Sequence, residues 1–266
     1  MIEALLAFLF GLLIGSFLNV CIYRWPLDLS VVRPRSHCIA CQRTIAWYDN
    51  IPVLSYLVLR GRCRHCGARI AVRYPLVELL TALLFFLFVW QLGPSLAALK
   101  MCVFAAILVA LIFSDLEERI LPDELTLGGI AVGLAFAFFV PVPASVAQLF
   151  FSGRAGSVAE AAIGAIVPTS ILWFAGWLYQ RVRHREGLGF GDIKLIAMVG
   201  SFLGLSGALL TLVVGSLTGS IIGYAYIKLQ GKDPATYELP FGTFLGAAAL
   251  AIAVAGEKIL GWYAGL

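Results

Sequence analysis

Long apolar runs constrain the fold of this chain more than any other feature of its sequence. The longest run extends over 33 residues, from Leu195 to Ile227. Because a helix needs about 20 apolar residues to cross a bilayer, such runs predict membrane-spanning helices. The runs are Ala4–Cys21, Pro75–Leu92, Leu96–Phe113, Leu125–Val140, Ala161–Tyr179, Leu195–Ile227 and Phe241–Gly256, the last of which can extend to Trp262.

The composition indicates the same class of protein. Hydrophobic residues make up 61% of the 266 residues and charged residues make up 13%, which is about half of the usual charged share. These values exclude a soluble enzyme, a disordered chain and a disulfide-rich secreted domain. The apolar residues form unbroken runs and do not alternate with polar ones, which argues against a membrane β-barrel. The sequence therefore predicts an all-α polytopic membrane protein.

The longest run exceeds what one membrane-spanning helix requires. It contains Gly204-Leu205-Ser206-Gly207 near its middle, and these residues predict a break between two short helices. With this break, about eight transmembrane helices are expected. The segment Pro141–Ser157 contains two prolines and two glycines and is predicted to form an external loop.

The positions of lysine and arginine predict the orientation in the membrane. With eight spans, four of the connecting segments face the same side, and they hold 16 of the 19 basic residues. Because basic residues concentrate in cytoplasmic loops, this side is predicted to be cytoplasmic, and both termini are predicted to lie outside. The four segments are Arg24–Arg73, Asp115–Glu124, Gln180–Lys194 and Lys228–Glu238.

This topology divides the chain into three parts. Residues 1–23 are predicted to form the first transmembrane helix, and residues 24–74 a small cytoplasmic domain between helices 1 and 2. Residues 75–266 are predicted to form a membrane domain of seven helices. No basic segment precedes the first apolar run, so a cleaved signal peptide is not expected.

Two CxxC pairs, separated by 21 residues, lie in the predicted cytoplasmic domain. A segment of this size cannot bury a large core, and four thiolates form a closed tetrahedral shell, so the pairs predict a structural zinc site. Disulfides and a thiol-redox pair are the alternatives, and disulfides require an oxidising compartment. His37 and His65 adjoin the pairs and could serve as alternative ligands. The predicted ligands are Cys38, Cys41, Cys63 and Cys66.

Acidic residues concentrate at two predicted cytoplasmic helix ends, where ionisable groups are candidates for function. Each has a structural alternative, because acids at these positions can cap a helix or mark its exit into water. The spacing does not select Asp115 over Asp123 or Glu118. The two groups are Asp115, Glu117, Glu118, Asp123 and Glu124 between spans three and four, and Asp192 after Gly189-Phe190-Gly191.

Two carboxyl groups brought close together share one proton, because both do not ionise easily. The charged group then takes a proton from water, and the protonated group polarises a scissile carbonyl and later protonates the amine. Gly189 and Gly191 would let a substrate backbone approach closely. The pattern is typical of aspartic proteolysis at a membrane face.

The ordered motifs together resemble the bacterial type IV prepilin peptidases, the leader peptidase/N-methyltransferases of the GxGD-type membrane aspartic protease family. The resemblance covers nearly the whole chain. It depends on Gly15-Ser16-Phe17-Leu18-Asn19-Val20, Arg24-Trp25-Pro26, the two CxxC pairs, Arg73-Tyr74-Pro75-Leu76-Val77-Glu78, Asp115 with Leu121-Pro122-Asp123, and Gly189-Phe190-Gly191-Asp192 followed by Ile193-Lys194. The stretch between Asp115 and Asp192 is longer than usual, mostly around Pro141–Ser157.

The resemblance implies Asp115 and Asp192 as the catalytic pair, with Asp123 as a structural acid. It implies cleavage of prepilins or pseudopilins after a glycine on the cytoplasmic side, followed by N-methylation from S-adenosylmethionine. It also implies a multi-pass protein of the bacterial inner membrane, with lipid and not nucleic acid as its surroundings. No glycine-rich nucleotide loop identifies residues that would bind the methyl donor.

Two other hypotheses remain open at this point. In the first, the zinc domain docks a component of a pilus or secretion assembly, and the acids only cap helices. In the second, Asp115 or Asp192 couples proton movement to transport, although coupling acids usually lie near the middle of the membrane. A scaffold would tolerate replacement of both aspartates by asparagine, whereas a peptidase would not.

Overall fold

The computed structural model describes residues 1–142, 146–184, 189–231 and 239–264. Within these ranges the secondary structure is helical apart from two isolated β-bridges, so the predicted all-α class is confirmed. The helices are α1 (Ile2–Arg24), α2 (Leu54–Val58), α3 (Arg73–Leu92), α4 (Leu96–Glu118), α5 (Asp123–Phe139), α6 (Gly153–Arg183), α7 (Phe190–Leu229) and α8 (Phe241–Ala264), with short 3-10 turns at Trp25–Leu27, Trp47–Asp49 and Ala147–Leu149.

Five of the described helices are long and apolar enough to cross a membrane, namely α1, α3, α4, α6 and α7. The apolar part of α8, Phe241–Ala255, is shorter, and α5 has 17 residues. The membrane class is therefore supported, while the count of eight spans stays a prediction.

Helix α7 is interrupted at Gly204, inside the segment where the sequence predicts a break. Gly204 has φ 74° and ψ −173°, a backbone conformation that glycine adopts most readily. The N–H of Leu205 donates to Oε1 of Glu160 on α6 at 3.0 Å. Oε2 of Glu160 accepts from the N–H of Ala147 at 3.1 Å. The buried Glu160 carboxylate thus replaces backbone acceptors that these amides lack.

Two predicted boundaries differ from the observed helix ends. Helix α6 begins at Gly153, inside the predicted loop Pro141–Ser157, because its first turns are small or polar and interrupt the apolar pattern. Ser157 is nonetheless buried, and its Oγ accepts from the N–H of Val142 at 3.1 Å. Helix α4 extends to Glu118, so Asp115 lies within a helix and not in the connection.

The chain forms two compact units, Met1–Phe113 and Ser114–Leu266. In the first unit, α1 packs on α3 through glycines. A Cβ atom at Gly15 would lie 2.6 Å from Cα of Glu78, and one at Gly11 would lie 2.7 Å from Cα of Ala82. Such small residues allow two helix backbones to approach closely.

In the second unit, α7 packs against α5, α6 and α8. The approach of α6 and α7 is so close that a Cβ atom at Gly200 would collide with the carbonyl oxygen of Gly164. A Cβ atom at Gly215 would lie 2.8 Å from the Leu245 side chain on α8. Glycines therefore set the spacing of the helices that hold the candidate site.

Candidate functional site

Both aspartates implied by the resemblance belong to the second unit. Asp115 lies in the last turn of α4, where it is buried, and Asp192 is the third residue of α7, where it is half-buried. The charges of the two carboxyl groups are close enough to interact electrostatically. The structure thus brings together the two residues that the sequence places 77 positions apart.

Thr243, at the start of α8, holds the carboxyl group of Asp115. Its backbone N–H donates to Oδ2 of Asp115 at 2.6 Å, and its side-chain Oγ1 donates to the same oxygen at 2.8 Å. Sequence reasoning missed Thr243, because a single threonine at the start of an apolar run has no distinctive spacing. Hydrogen bonds of this kind stabilise the charged form of a carboxyl group.

Leu121 contacts two glycines at the site. A Cβ atom at Gly191 would lie 3.1 Å from Cβ of Leu121, and one at Gly242 would lie 3.0 Å from its Cδ1. The same atom at Gly242 would be 3.1 Å from Cγ of Asp115. Leu121 therefore fits between the starts of α7 and α8 only because both positions lack a side chain.

The glycines before Asp192 form the turn into α7. Gly189 is the N-cap residue of this helix, and its carbonyl accepts from the N–H of Asp192 at 3.2 Å. A Cβ atom at Gly189 would lie 3.2 Å from Oδ2 of Asp192. Asp192 is therefore a first-turn residue of α7 and not its N-cap residue.

Asp123 has a different environment from the other two aspartates. It is the first residue of α5, after the N-cap Pro122, and its exposed carboxylate forms an ion pair with Lys194 of α7. The ammonium group of Lys194 also lies 5.2 Å from the centre of the Phe190 ring. This pairing fits a structural acid that joins the beginnings of α5 and α7.

In the first unit, the four predicted metal ligands converge. The Sγ atoms of Cys38, Cys41, Cys63 and Cys66 all lie within 4.8 Å of one another. The Sγ atoms of Cys38 and Cys66 are 3.8 Å apart, which matches the edge of a tetrahedron with zinc–sulfur bonds of about 2.3 Å. All six cysteines of the chain are free thiols, so no disulfide competes with a metal at this cluster.

The two CxxC pairs have equivalent backbones. The N–H of Cys38 donates to Arg43 O at 2.9 Å, and the N–H of Cys63 donates to Ala68 O at 2.8 Å. Each pair then turns through a left-handed residue, Gln42 in the first and Gly67 in the second. An isolated β-bridge closes each turn, between His37 and Thr44 and between Arg62 and Arg69.

Hydrogen bonds favour the thiolate form of Cys63 and fix the turn that contains it. Backbone N–H groups of Cys66 and His65 lower the pKa of Cys63 to about 7, and a thiolate is the form that binds zinc. Arg64 donates three hydrogen bonds to Asp49, from Nε to Oδ2 at 2.8 Å and to Oδ1 at 3.1 Å, and from Nη2 to Oδ1 at 2.6 Å. This guanidinium group lowers the pKa of Asp49 and joins the second turn to the 3-10 helix Trp47–Asp49.

Polar residues of α1 and α3 are hydrogen-bonded to each other near the segment that contains the cysteines. Glu78 on α3 accepts from the N–H of Val53 at 2.7 Å and from the Ser16 side chain on α1. Nδ2 of Asn19 donates to Tyr74 O at 3.0 Å. These contacts explain why polar residues interrupt two otherwise apolar spans.

Comparisons with known proteins agree with this arrangement. The model of the bacterial peptidase A24 N-terminal domain matches residues 9–92, and that of the type IV leader peptidase family matches residues 102–224. No solved structure matches the chain.

Curated relatives match most of the chain, and the three described here share the name prepilin leader peptidase/N-methyltransferase. The one from Myxococcus xanthus is 43% identical over 86% of this chain and 64% of its own length. The one from Aeromonas hydrophila is 37% identical over 97% of this chain and 92% of its own length. The one from Pseudomonas putida is 35% identical over 96% and 91%. Because the relatives from Aeromonas hydrophila and Pseudomonas putida are at least 35% identical and are covered over more than nine tenths of their length, the chain belongs to the type IV leader peptidase family.

Proposed function

We propose that this protein is a membrane aspartic endopeptidase that removes the leader peptide of type IV prepilins or pseudopilins after a glycine. We further infer that it N-methylates the new N-terminal residue with S-adenosylmethionine as donor. The shared name of relatives that are 43% and 37% identical combines the two activities. The observation that carries the proposal is that Asp115 and Asp192 lie in one compact unit, close enough for the charge of one carboxyl group to act on the other.

The hydrogen bonds of Thr243 support different roles for the two aspartates. Asp115 accepts two donors at one oxygen, which stabilises its charged form. Two adjacent carboxyl groups share one proton, so the proton belongs to Asp192. Asp115 is then the general base of the reaction and Asp192 is the general acid.

In this mechanism the Asp115 carboxylate removes a proton from water while the water oxygen attacks the scissile carbonyl carbon. Asp192 donates its proton to the carbonyl oxygen, which stabilises the developing negative charge. When the carbon–nitrogen bond breaks, the proton taken up by Asp115 passes to the leaving amine, and a hydroxyl group of the tetrahedral intermediate returns a proton to Asp192 as the new carboxylic acid forms. The absence of a side chain at Gly189 would let a substrate backbone approach the Asp192 carboxyl group, whereas Leu121 occupies the corresponding space at Gly191.

The same proposal includes a structural role for the four-cysteine cluster. Cys38, Cys41, Cys63 and Cys66 would hold one zinc ion, and four protein ligands would leave it no open position for catalysis. The ion would fix residues 24–74, in which the longest helix is only five residues, Leu54–Val58.

The topology proposal follows the basic residues. If the two parts of α7 on either side of Gly204 cross the membrane separately, α1, α3–α6, these two parts and α8 give eight spans. The positive-inside rule then places the cysteine cluster and both aspartates in the cytoplasm and both termini outside. Prepilins carry an apolar helix just beyond the cut, so they would reach the site from the bilayer.

Cleavage of a co-expressed prepilin tests the peptidase assignment. Asp115→Asn and Asp192→Asn are expected to abolish cleavage while the protein still accumulates in the membrane. Glu118→Gln is the matched control, because Glu118 is an exposed acid of the same helix end. Mass spectrometry of the mature N-terminus reports the added methyl group. Cleavage by both asparagine variants would show that the aspartates are only helix-end residues.

A further inference from the structure

A half-open cavity of about 420 Å³ lies within the first unit. One wall is the C-terminal half of α1, and the other is formed by residues 31–52. Its volume falls within the range of about 300–1,000 Å³ that is usual for small-molecule sites. The lining residues that matter for its chemistry are Phe17, Arg24, Arg35, Ser36, Trp47 and Asn50.

Arg24 is a buried cation on the wall of this cavity. Only 6% of its surface is exposed, and two of its nitrogens donate to backbone carbonyls, to Ser30 O at 2.8 Å and to Pro34 O at 2.7 Å. In the part of the chain that the structure describes, no carboxylate forms an ion pair with Arg24. Buried charges normally have a partner of opposite charge, so an unpaired guanidinium at a cavity points to an anionic group of a ligand.

The other side chains that line the cavity indicate which further groups a ligand would carry. Trp47 and Phe17 offer aromatic surfaces, which attract cations and stack on planar rings. Arg35 adds a second positive charge, and Asn50 and Ser36 add hydrogen-bonding groups. A molecule that combines an anionic group, a planar ring and hydrogen-bonding groups would complement these side chains, and the other lining residues are mostly aliphatic.

We propose that this cavity is the binding site of the methyl donor, S-adenosylmethionine. The inference rests on the N-methyltransferase activity proposed above, and it names the site at which the donor is held. The carboxylate of the methionine part would pair with Arg24 and Arg35, and the sulfonium and adenine would lie against Trp47 and Phe17. When the donor is bound, its sulfur–methyl bond breaks as a neutral N-terminal amine forms the new nitrogen–carbon bond, and the methylated amine releases a proton to water.

Equilibrium binding of radiolabelled S-adenosylmethionine to the purified full-length protein in nanodiscs tests the inference without any turnover. Arg24→Gln and Trp47→Ala are each expected to weaken binding at least tenfold, and Arg35→Gln severalfold. Arg33→Gln and Tyr23→Ala are matched controls, because both residues are exposed neighbours that do not line the cavity. Trp47 is itself 74% exposed, so its replacement tests the site even if Arg24→Gln disturbs the surrounding loop.

The opposite pattern would overturn the inference. If Arg24→Gln, Trp47→Ala and the two controls all bind the donor as the unchanged protein does, the donor binds elsewhere. A phospholipid that copurifies in native mass spectrometry, depends on Arg24 and is not displaced by S-adenosylmethionine would make the cavity a lipid site. The double variant Asp115→Asn, Asp192→Asn distinguishes donor binding from peptidase activity. It is expected to bind S-adenosylmethionine normally while it fails to cleave prepilin.

Discussion

Oδ2 of Asp115 accepts two hydrogen bonds from Thr243, one from the backbone N–H at 2.6 Å and one from the hydroxyl at 2.8 Å. The two residues are 128 positions apart, on α4 and α8. Thr243 touches the proposed catalytic carboxylate, so we infer that it acts as a positioning residue.

Replacement of Thr243 by valine removes the hydroxyl donor and keeps the shape of the side chain. A hydrogen bond to a charged group contributes about 1.5–3 kcal/mol, so we expect kcat for prepilin cleavage to fall about 10- to 100-fold with little change in KM. Thr243→Ser keeps the hydroxyl and is expected to cleave at nearly the normal rate. Equal rates for the valine and serine variants would show that the hydroxyl does not matter.

The zinc content of variants in which one of the four clustered cysteines is replaced tests the proposed metal site. We expect elemental analysis of the purified protein to find one zinc per chain, and Cys41→Ser to reduce this value well below one, because three thiolates and a hydroxyl bind zinc weakly. Cys102→Ser is the control, since Cys102 is a buried cysteine of α4 outside the cluster. Metal-free protein with four reactive thiols would contradict the proposal.

Acidification is expected to release the metal. Zinc binds thiolates, so its affinity falls as protons compete for the sulfurs. Backbone donors lower the pKa of Cys63 to about 7, which means that this thiol competes better for the metal near neutral pH than an ordinary cysteine. We therefore expect zinc to be retained at pH 7 and lost progressively in acid, as measured with a chromophoric chelator.

The carboxylate of Glu160 is expected to stabilise the break in α7. Glu160→Ala leaves the N–H groups of Leu205 and Ala147 without this acceptor, and each buried unsatisfied group costs about 1–3 kcal/mol. Thermal unfolding in detergent should show a clear loss of stability. Glu160→Gln keeps one acceptor oxygen and is expected to lose less. A fully stable alanine variant would mean that water or another group satisfies both amides.

The contact of α6 with α7 is expected to tolerate no added atoms. Gly200→Ala would place Cβ against the Gly164 carbonyl oxygen, and overpacking of this kind usually costs about 1–3 kcal/mol or more. Gly128→Ala on α5 is the control, because nothing lies within 4 Å of its Cβ position. Fluorescence-detected size exclusion after heating should separate the two variants. Equal stability would show that the helices can move apart at no cost.

The parts of the structure that depend on local sequence could be predicted. Apolar runs indicate the helices, glycines mark the break in α7, and the spacing of the CxxC pairs predicts the converging cysteines. The pairing of Asp115 with Asp192 required the family resemblance, because spacing alone does not tell which distant acids meet. Thr243 was missed, since its role depends on the packing of α8 against the end of α4.

The interruption at Gly204 divides α7 into two helical parts, and Asp192 lies on the shorter, N-terminal part. Residues 192–203 form a helical arm of 12 residues before the interruption, a length of about 18 Å at 1.5 Å per residue. Glu160 accepts a hydrogen bond from the amide just beyond Gly204. On this geometry, a tilt of the arm by about 5° would displace the Asp192 carboxyl group by about 1.5 Å, which is enough to break a hydrogen bond. The close contact of Gly200 with Gly164 on α6 opposes such a tilt, so the glycines between α6 and α7 hold Asp192 in position.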